Sequence, residues 1–262
     1  MQDLLLEQLQ ARKERKNYAI VTIVDSFGST PRTNGKMLVY ENGLSKGTVS
    51  GGHHEQMAKR DAVACIAAGQ NALKRYEIKA PAAASGAVCT GGITVFIEVF
   101  RAAPLLVVCG GGGHVGRSLI RIAKEVGFDV LLVDTRDAEV IAESVAMADR
   151  FEQVPDFASG LRALDIDPTA YYVLCSYSHA TDGASLHAVL DREWSYAGMV
   201  GSRAKIGAIF SQRRELGYSG ARLAEVHTPI GLSLGGETPA EIAVAIMAEI
   251  IAVQHGKIQN FS

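Results

Sequence analysis

No apolar run in this 262-residue chain is long enough to cross a bilayer. The longest, residues 242–253, holds Glu249 and falls well short of the ~20 residues a spanning helix needs. The opening MQDLLLEQLQ breaks its apolar positions with acidic and amide residues, so it cannot form the uninterrupted core of a signal peptide. A soluble, cytoplasmic protein without a membrane segment is predicted. Charge of either sign is not in excess: 26 Lys and Arg face 28 Asp and Glu, for a net charge of −2. No dense basic run marks a nucleic-acid surface, and ARKERK reads as the solvated face of a helix. The four cysteines, Cys65, Cys89, Cys109 and Cys175, are too scattered for a disulfide framework and match no zinc motif. The GxSxG elbow is missing too, and no cysteine sits in a recognisable nucleophile context, so hydrolase chemistry has little support. Internal repeats and low-complexity segments are also lacking.

What the chain does have is a glycine turn in a telling place. The apolar stretch LLVVC runs into GGGGHVG, and Asp134 closes the next apolar stretch, DVLLVD. LLVVC predicts a buried parallel strand, and residues 114–126 predict a helix ended by Gly127. The free N–H groups and positive dipole end of that helix suit a phosphate or pyrophosphate. In this reading Gly111 makes the turn, Gly113 lets a ligand approach, Gly116 lets helix and strand pack, and His114 opens the helix. Asp134 then accepts a ribose hydroxyl. A sheet of this architecture that binds nothing is the plain alternative.

The expected fold class is α/β: a C-terminal Rossmann-like parallel sheet with helices on both faces, over 104–262, plus a smaller N-terminal α+β domain over 1–101. The first part reads as a helix to about Lys16, strand YAIVTIVDS, polar loop FGSTPRTNG, strand KMLVY, a helix over 54–68, and strands near 74–78 and 93–99, with RAAP as linker. The second alternates strands LLVVC, DVLLVD, YYVLCSYS and YAGMV with helices after His114, near Ala138, after Asp182 and after Gly201. A last helix is announced by ETPAEIA, where Thr238 caps, Pro239 takes the first helical position and Glu241 bonds back to the cap.

Three strand-to-helix turns stand out as anion sites: SGG before His53, with Gly51 and Gly52; GGGG before His114; and GSR, with Ser202 and Arg203. The loop over 27–35, with Ser29 and Arg32, suits a polar pocket or an ordinary turn. His53 and His54 follow SGG, and His179 precedes Asp182 by three residues, so each pair suggests acid–base or metal chemistry. Metal binding there would need long-range partners such as Cys89 or His227. Helix capping explains Asp182 equally well.

Taken together and in order, these motifs resemble the XdhC/CoxI proteins, accessory factors in the maturation of xanthine dehydrogenase and related molybdenum hydroxylases. The resemblance covers nearly the whole chain. GSTPRTNGKMLVYENGLSKGTVSGGHHE is similar to the family's N-terminal segment through Gly28, Ser29, Thr30, Pro31, Arg32, Met37, Gly51, Gly52 and Glu55. GGGGHVG with VDTR, VGSRAK, HTPIGLSLGGETPAEIA and AEIIAV resemble its Rossmann-type half. This chain departs from the family pattern where it has His53 in place of Cys or Ala, Thr90 after Cys89 in place of glycine, and Ala180 after His179 in place of Asp. Cys89 is therefore the better thiol candidate for metal, with His53 second.

The resemblance implies a carrier that binds molybdenum cofactor (molybdopterin), supports its sulfuration through a cysteine desulfurase, and inserts it into xanthine dehydrogenase or a related hydroxylase, working as a homodimer. Two other readings stay open at this point. One is an NAD(P)-dependent oxidoreductase with His179 as acid–base residue, and Arg136 beside Asp134 leaves the choice of NAD or NADP undecided. The other is an interaction module that has kept the nucleotide fold without its ligand.

Overall fold

The computed structural model describes residues 2–28, 33–79 and 90–258. Ser29, Arg32 and Cys89 lie outside these. The chain divides into two compact units, Met1–Ala102 and Ala103–Ser262.

The first unit holds α1 (Gln2–Lys13), β1 (Tyr18–Gly28), β2 (Lys36–Tyr40), β3 (Ser45–Thr48), α2 (Gly52–Ala68), β4 (Ala72–Lys79) and β5 (Thr90–Phe100). Its sheet is antiparallel throughout, in the order β3-β2-β1-β5-β4. Period-two alternation assigns the faces. Ala19, Val21 and Ile23 of β1 pack with Ala58, Ala62 and Ile66 of α2, while Tyr18 and Ile20 pack with Leu4 and Ala11 of α1. Strand β3, built from SKGT, carries no apolar alternation and joins the sheet through its pairing with β2.

The second unit begins with β6 (Leu105–Cys109), α3 (His114–Glu125), β7 (Asp129–Asp134), α4 (Ala142–Met147), β8 (Arg150–Gln153) and α5 (Phe157–Ala163). It continues with β9 (Tyr171–Leu174), α6 (His179–Leu190), β10 (Tyr196–Met199), α7 (Arg203–Glu215), α8 (Gly220–Ala224) and α9 (Pro239–Gln254). All five strands are parallel, in the order β10-β9-β6-β7-β8. Leu106, Val108, Val130 and Leu132 face a core shared with Leu119 and Ile120 of α3 and Ile246 and Ile250 of α9. Leu105, Val107, Leu131 and Val133 face Phe157 and Leu161 of α5, Leu186 of α6 and Ile206 of α7. Helices therefore cover both faces, which is why LLVVC is apolar at every position rather than at alternate ones.

Beyond β10 the segment around His227 runs alongside it. The His227 N–H donates to the Ala197 carbonyl at 2.8 Å, and the Met199 N–H to the His227 carbonyl at 3.1 Å. In the first unit the helix expected over 54–68 begins at Gly52, and in the second unit two helix starts differ from expectation. The helix placed near Ala138 begins at Ala142, after a turn closed by the Val140 N–H on the Asp137 carbonyl. The helix placed after Asp182 begins at His179, because Ser178 and Thr181 form a capping box that starts it four residues sooner. No helix among the described residues is long and apolar enough to cross a membrane.

Candidate ligand-binding crevice

Strand order reverses between β6 and β9, so their carboxyl ends flank the crevice where open parallel sheets hold ligands. The turn after β6 supplies one wall. Its left-handed step falls on Gly110 (φ 72°), whose backbone lies so close to Ser176 that a Cβ would come within 2.3 Å of the serine Cβ. Gly111 is required by space, since a Cβ there would meet Val108 at 2.3 Å. A Cβ on Gly116 would stand 2.3 Å from the Gly111 Cα, so helix and turn touch backbone to backbone. Gly113 differs from these: it is extended (φ −90°), and a Cβ there would meet nothing within 4 Å. Among the described residues no side chain caps α3 and no acidic residue lies in its first turn, so the N–H groups at His114 and its neighbours have no side-chain partner there.

Asp134 ends β7 beneath this turn and is wholly buried. Its Oδ1 accepts from the Arg136 N–H at 3.1 Å and Nε at 2.9 Å; its Oδ2 accepts from Arg136 Nη2 at 2.6 Å and the Gly112 N–H at 3.1 Å. The carboxylate in turn raises the guanidinium's pKa above its usual range. Arg136 also reaches the Gly110 carbonyl at 3.3 Å and lies 5.3 Å from the centre of the Tyr177 ring.

The turn after β9 forms the opposite wall. Asp182, also wholly buried, accepts from the Ser176 N–H at 2.9 Å and the Ser176 hydroxyl, and pairs with Lys205. His179 is exposed at the start of α6, so the proposed His179–Asp182 pair is replaced by Lys205–Asp182. Burial pushes the Cys175 thiol up to about 12 and the Cys109 thiol well above its ordinary value, so neither is a thiolate at neutral pH.

At the end of β10 the Ser202 hydroxyl caps α7 by accepting from the Lys205 N–H at 3.3 Å. Arg203 is exposed and lines a cavity of about 600 Å³ together with Ile206, His227, Pro229, Leu232 and Ser233. Behind it lies a buried cluster the motifs did not reveal. Glu249 accepts from His227 Nδ1 at 2.8 Å, the Tyr196 hydroxyl at 2.8 Å and the Gly231 N–H at 2.6 Å. Burial alone would raise its carboxyl, but these three donors outweigh burial and hold it below the ordinary value. The available signal was Glu249 itself, the one charge within the apolar run over 242–253.

In the first unit, Gly51 and Gly52 take left-handed conformations (φ 75° and 60°) and lead into α2. Glu55 folds back over them. Its Oε2 accepts from the Thr48 hydroxyl, the Val49 N–H at 3.3 Å and the Gly51 N–H at 3.1 Å. His53 is exposed beside this turn, whereas His54 is buried with its Nε2 unpartnered among the described residues. No group of three or more His, Cys, Asp or Glu among the described residues is arranged to hold a metal ion.

The fold and motifs have counterparts among known proteins. Residues 106–250 match the XdhC Rossmann domain, and residues 11–77 match the XdhC and CoxI family. The uncharacterized protein YqeB of Escherichia coli (strain K12) is 31% identical over 248 residues, covering 94% of this chain and 45% of YqeB, so the chain spans less than half of that relative. The molybdenum cofactor insertion chaperone PaoD of the same organism is 25% identical over 274 residues, covering 94% of this chain and 86% of PaoD. A crystal structure of a xanthine dehydrogenase from Bacillus halodurans shares the fold, with TM-score 0.51 at 20% identity, covering 99% of this chain and 97% of that one. The chain belongs to the XdhC/CoxI family.

Proposed function

We propose that this chain is a molybdenum-cofactor-binding chaperone that assists insertion of the cofactor into xanthine dehydrogenase or a related molybdenum hydroxylase. The observation that carries this reading is the uncapped α3 N-terminus at the strand-order reversal, in a chain of this family. The pterin carries a phosphate, and a helix start with free N–H groups and no carboxylate in its first turn suits that group. The cofactor is cargo here, bound and released rather than turned over. The reading extends to sulfuration, with a cysteine desulfurase supplying the sulfur that replaces an oxo ligand before transfer, and to a homodimeric carrier.

Anaerobic purification from a molybdenum-replete host, followed by metal analysis and release of fluorescent pterin derivatives, tests it. Pterin and molybdenum are expected in the wild type and reduced in Gly113→Val, whose added side chain enters the open space above α3. Arg32→Ala asks the same of the polar segment that the sequence motif singles out. Protein empty of both, yet raised in melting temperature by NAD(P)H, would overturn the carrier in favour of an oxidoreductase.

A further inference from the structure

In a dinucleotide-binding turn, the carboxylate that ends the second strand accepts the hydroxyls of a ribose. Hydrogen-bond accounting at Asp134 leaves no acceptor for them. A carboxylate offers about four lone-pair positions, and here four donors occupy them: the Arg136 N–H, Nε and Nη2, and the Gly112 N–H. The guanidinium has the opposite balance. Nε and Nη2 are spent on Asp134 and the Gly110 carbonyl, while Nη1 has no partner among the described residues. Both Nη1 hydrogens therefore remain available. The Tyr177 ring on one side and the Gly112 backbone on the other hold the group, since a Cβ on Gly112 would stand 2.7 Å from Nη2. The place where a ribose diol would need acceptors thus presents donors.

We propose that Arg136 makes this crevice select a ligand carrying a phosphomonoester at that position over one carrying a free ribose diol. A phosphate dianion accepts from the Nη1 pair without disturbing the Asp134 bonds. A diol must instead displace Arg136 from a buried carboxylate. The shared chemistry has two sources, a pterin ending in a phosphate monoester or a nucleotide bearing a 2′-phosphate. This inference rests on the glycine turn being a ligand site. It deepens the carrier reading by favouring the mononucleotide form of the pterin over a dinucleotide form, whose second half brings a ribose diol.

Calorimetric titration of the full chain tests the selection with 2′,5′-ADP against 5′-AMP, which differ only in the 2′-phosphate. A phosphorylated pterin against the same pterin without phosphate forms the second arm. The phosphomonoester is expected to bind about tenfold tighter in at least one arm, and the arm that shows it identifies the source. Arg136→Lys keeps a cation beside Asp134 but removes the fork, and is expected to bring the preference below about threefold. Equal affinity within each pair, no binding of any probe, or an unchanged preference in Arg136→Lys would overturn the proposal. Pterin copurifying with no phosphate dependence would sink this inference and leave the carrier reading standing. A 2′-phosphate preference in protein that never carries pterin would do the reverse.

Discussion

The two units use the same device, a pair of glycines leading into a helix, and finish it in opposite ways. Four residues after Gly51 stands Glu55, whose carboxylate turns back onto the Gly51 and Val49 N–H groups and is itself held by Lys59 at 3.2 Å. Four residues after Gly113 stands Arg117, which turns outward to Glu143. The turn before α2 therefore already contains an anion, one supplied by the protein. In the turn before α3 the Asp134 carboxylate takes the Gly112 N–H, and among the described residues no side chain takes the N–H groups of the first turn of the helix. Glycines mark where backbone donors converge, and the residue one helical turn later decides whether a side chain answers the donors of the helix start.

The largest test of this contrast lies within the turn whose helix no side chain caps. Gly116→Val places a side chain against the Gly111 backbone, which has no rotamer with which to yield, and is expected to cost about 3 kcal/mol. Gly113→Ala enters open space from an extended conformation and is expected to change stability by about 0.5 kcal/mol or less. Urea unfolding followed by Trp194, the single tryptophan and a reporter of the second unit, distinguishes them. Equal costs at the two positions would mean that Gly113 is required by packing, as Gly116 is.

A smaller effect is expected where the turn is filled. Glu55→Gln keeps the shape but loses the charge, and its amide nitrogen must face either the Gly51 and Val49 N–H groups or the Lys59 ammonium, donor against donor. The expected cost is about 1–2 kcal/mol, read as lost amide-exchange protection in α2. Sulfate should then shift the Gly51 and Gly52 amide resonances in the variant and leave the wild type unmoved. Sulfate binding in the wild type would show that Glu55 does not fill the turn.

Elements with a strong internal period were legible from sequence, because burial imposes the period. All five residues of β6 are buried, and their unbroken apolar run gave both the strand and its two covered faces. Strand β8 was not legible: RFEQ has no apolar alternation, and it exists by pairing along the edge of β7. Ser178 was read as strand because its role as a cap depends on Thr181 answering it, which the apolar pattern does not record. The glycine turn and the presence of Asp134 were readable, but their meaning was not. Whether Asp134 faces a ribose or Arg136 depends on side-chain geometry, and Glu249 finds His227 from 22 residues away.

The smallest expected effect separates the units by pH. His54 is buried in the first unit, and burial, followed by the neighbouring His53, lowers its pKa from 6.5. The unfolded chain therefore binds more protons than the folded one between the folded value and 6.5. The stability this histidine contributes is present above about pH 6.5 and is lost as pH falls through its folded pKa. In the second unit the buried carboxyl of Glu249 is lowered from 4.5, so its contribution is complete above about pH 4.5 and is lost only below that. Between these limits α2 amides should lose exchange protection, corrected for intrinsic rates, while α9 amides keep theirs. His54→Leu should remove the difference by leaving nothing to protonate. Protection lost first in α9, or unchanged pH dependence in the variant, would place the acid-sensitive group elsewhere and remove His54 from the contrast between the units.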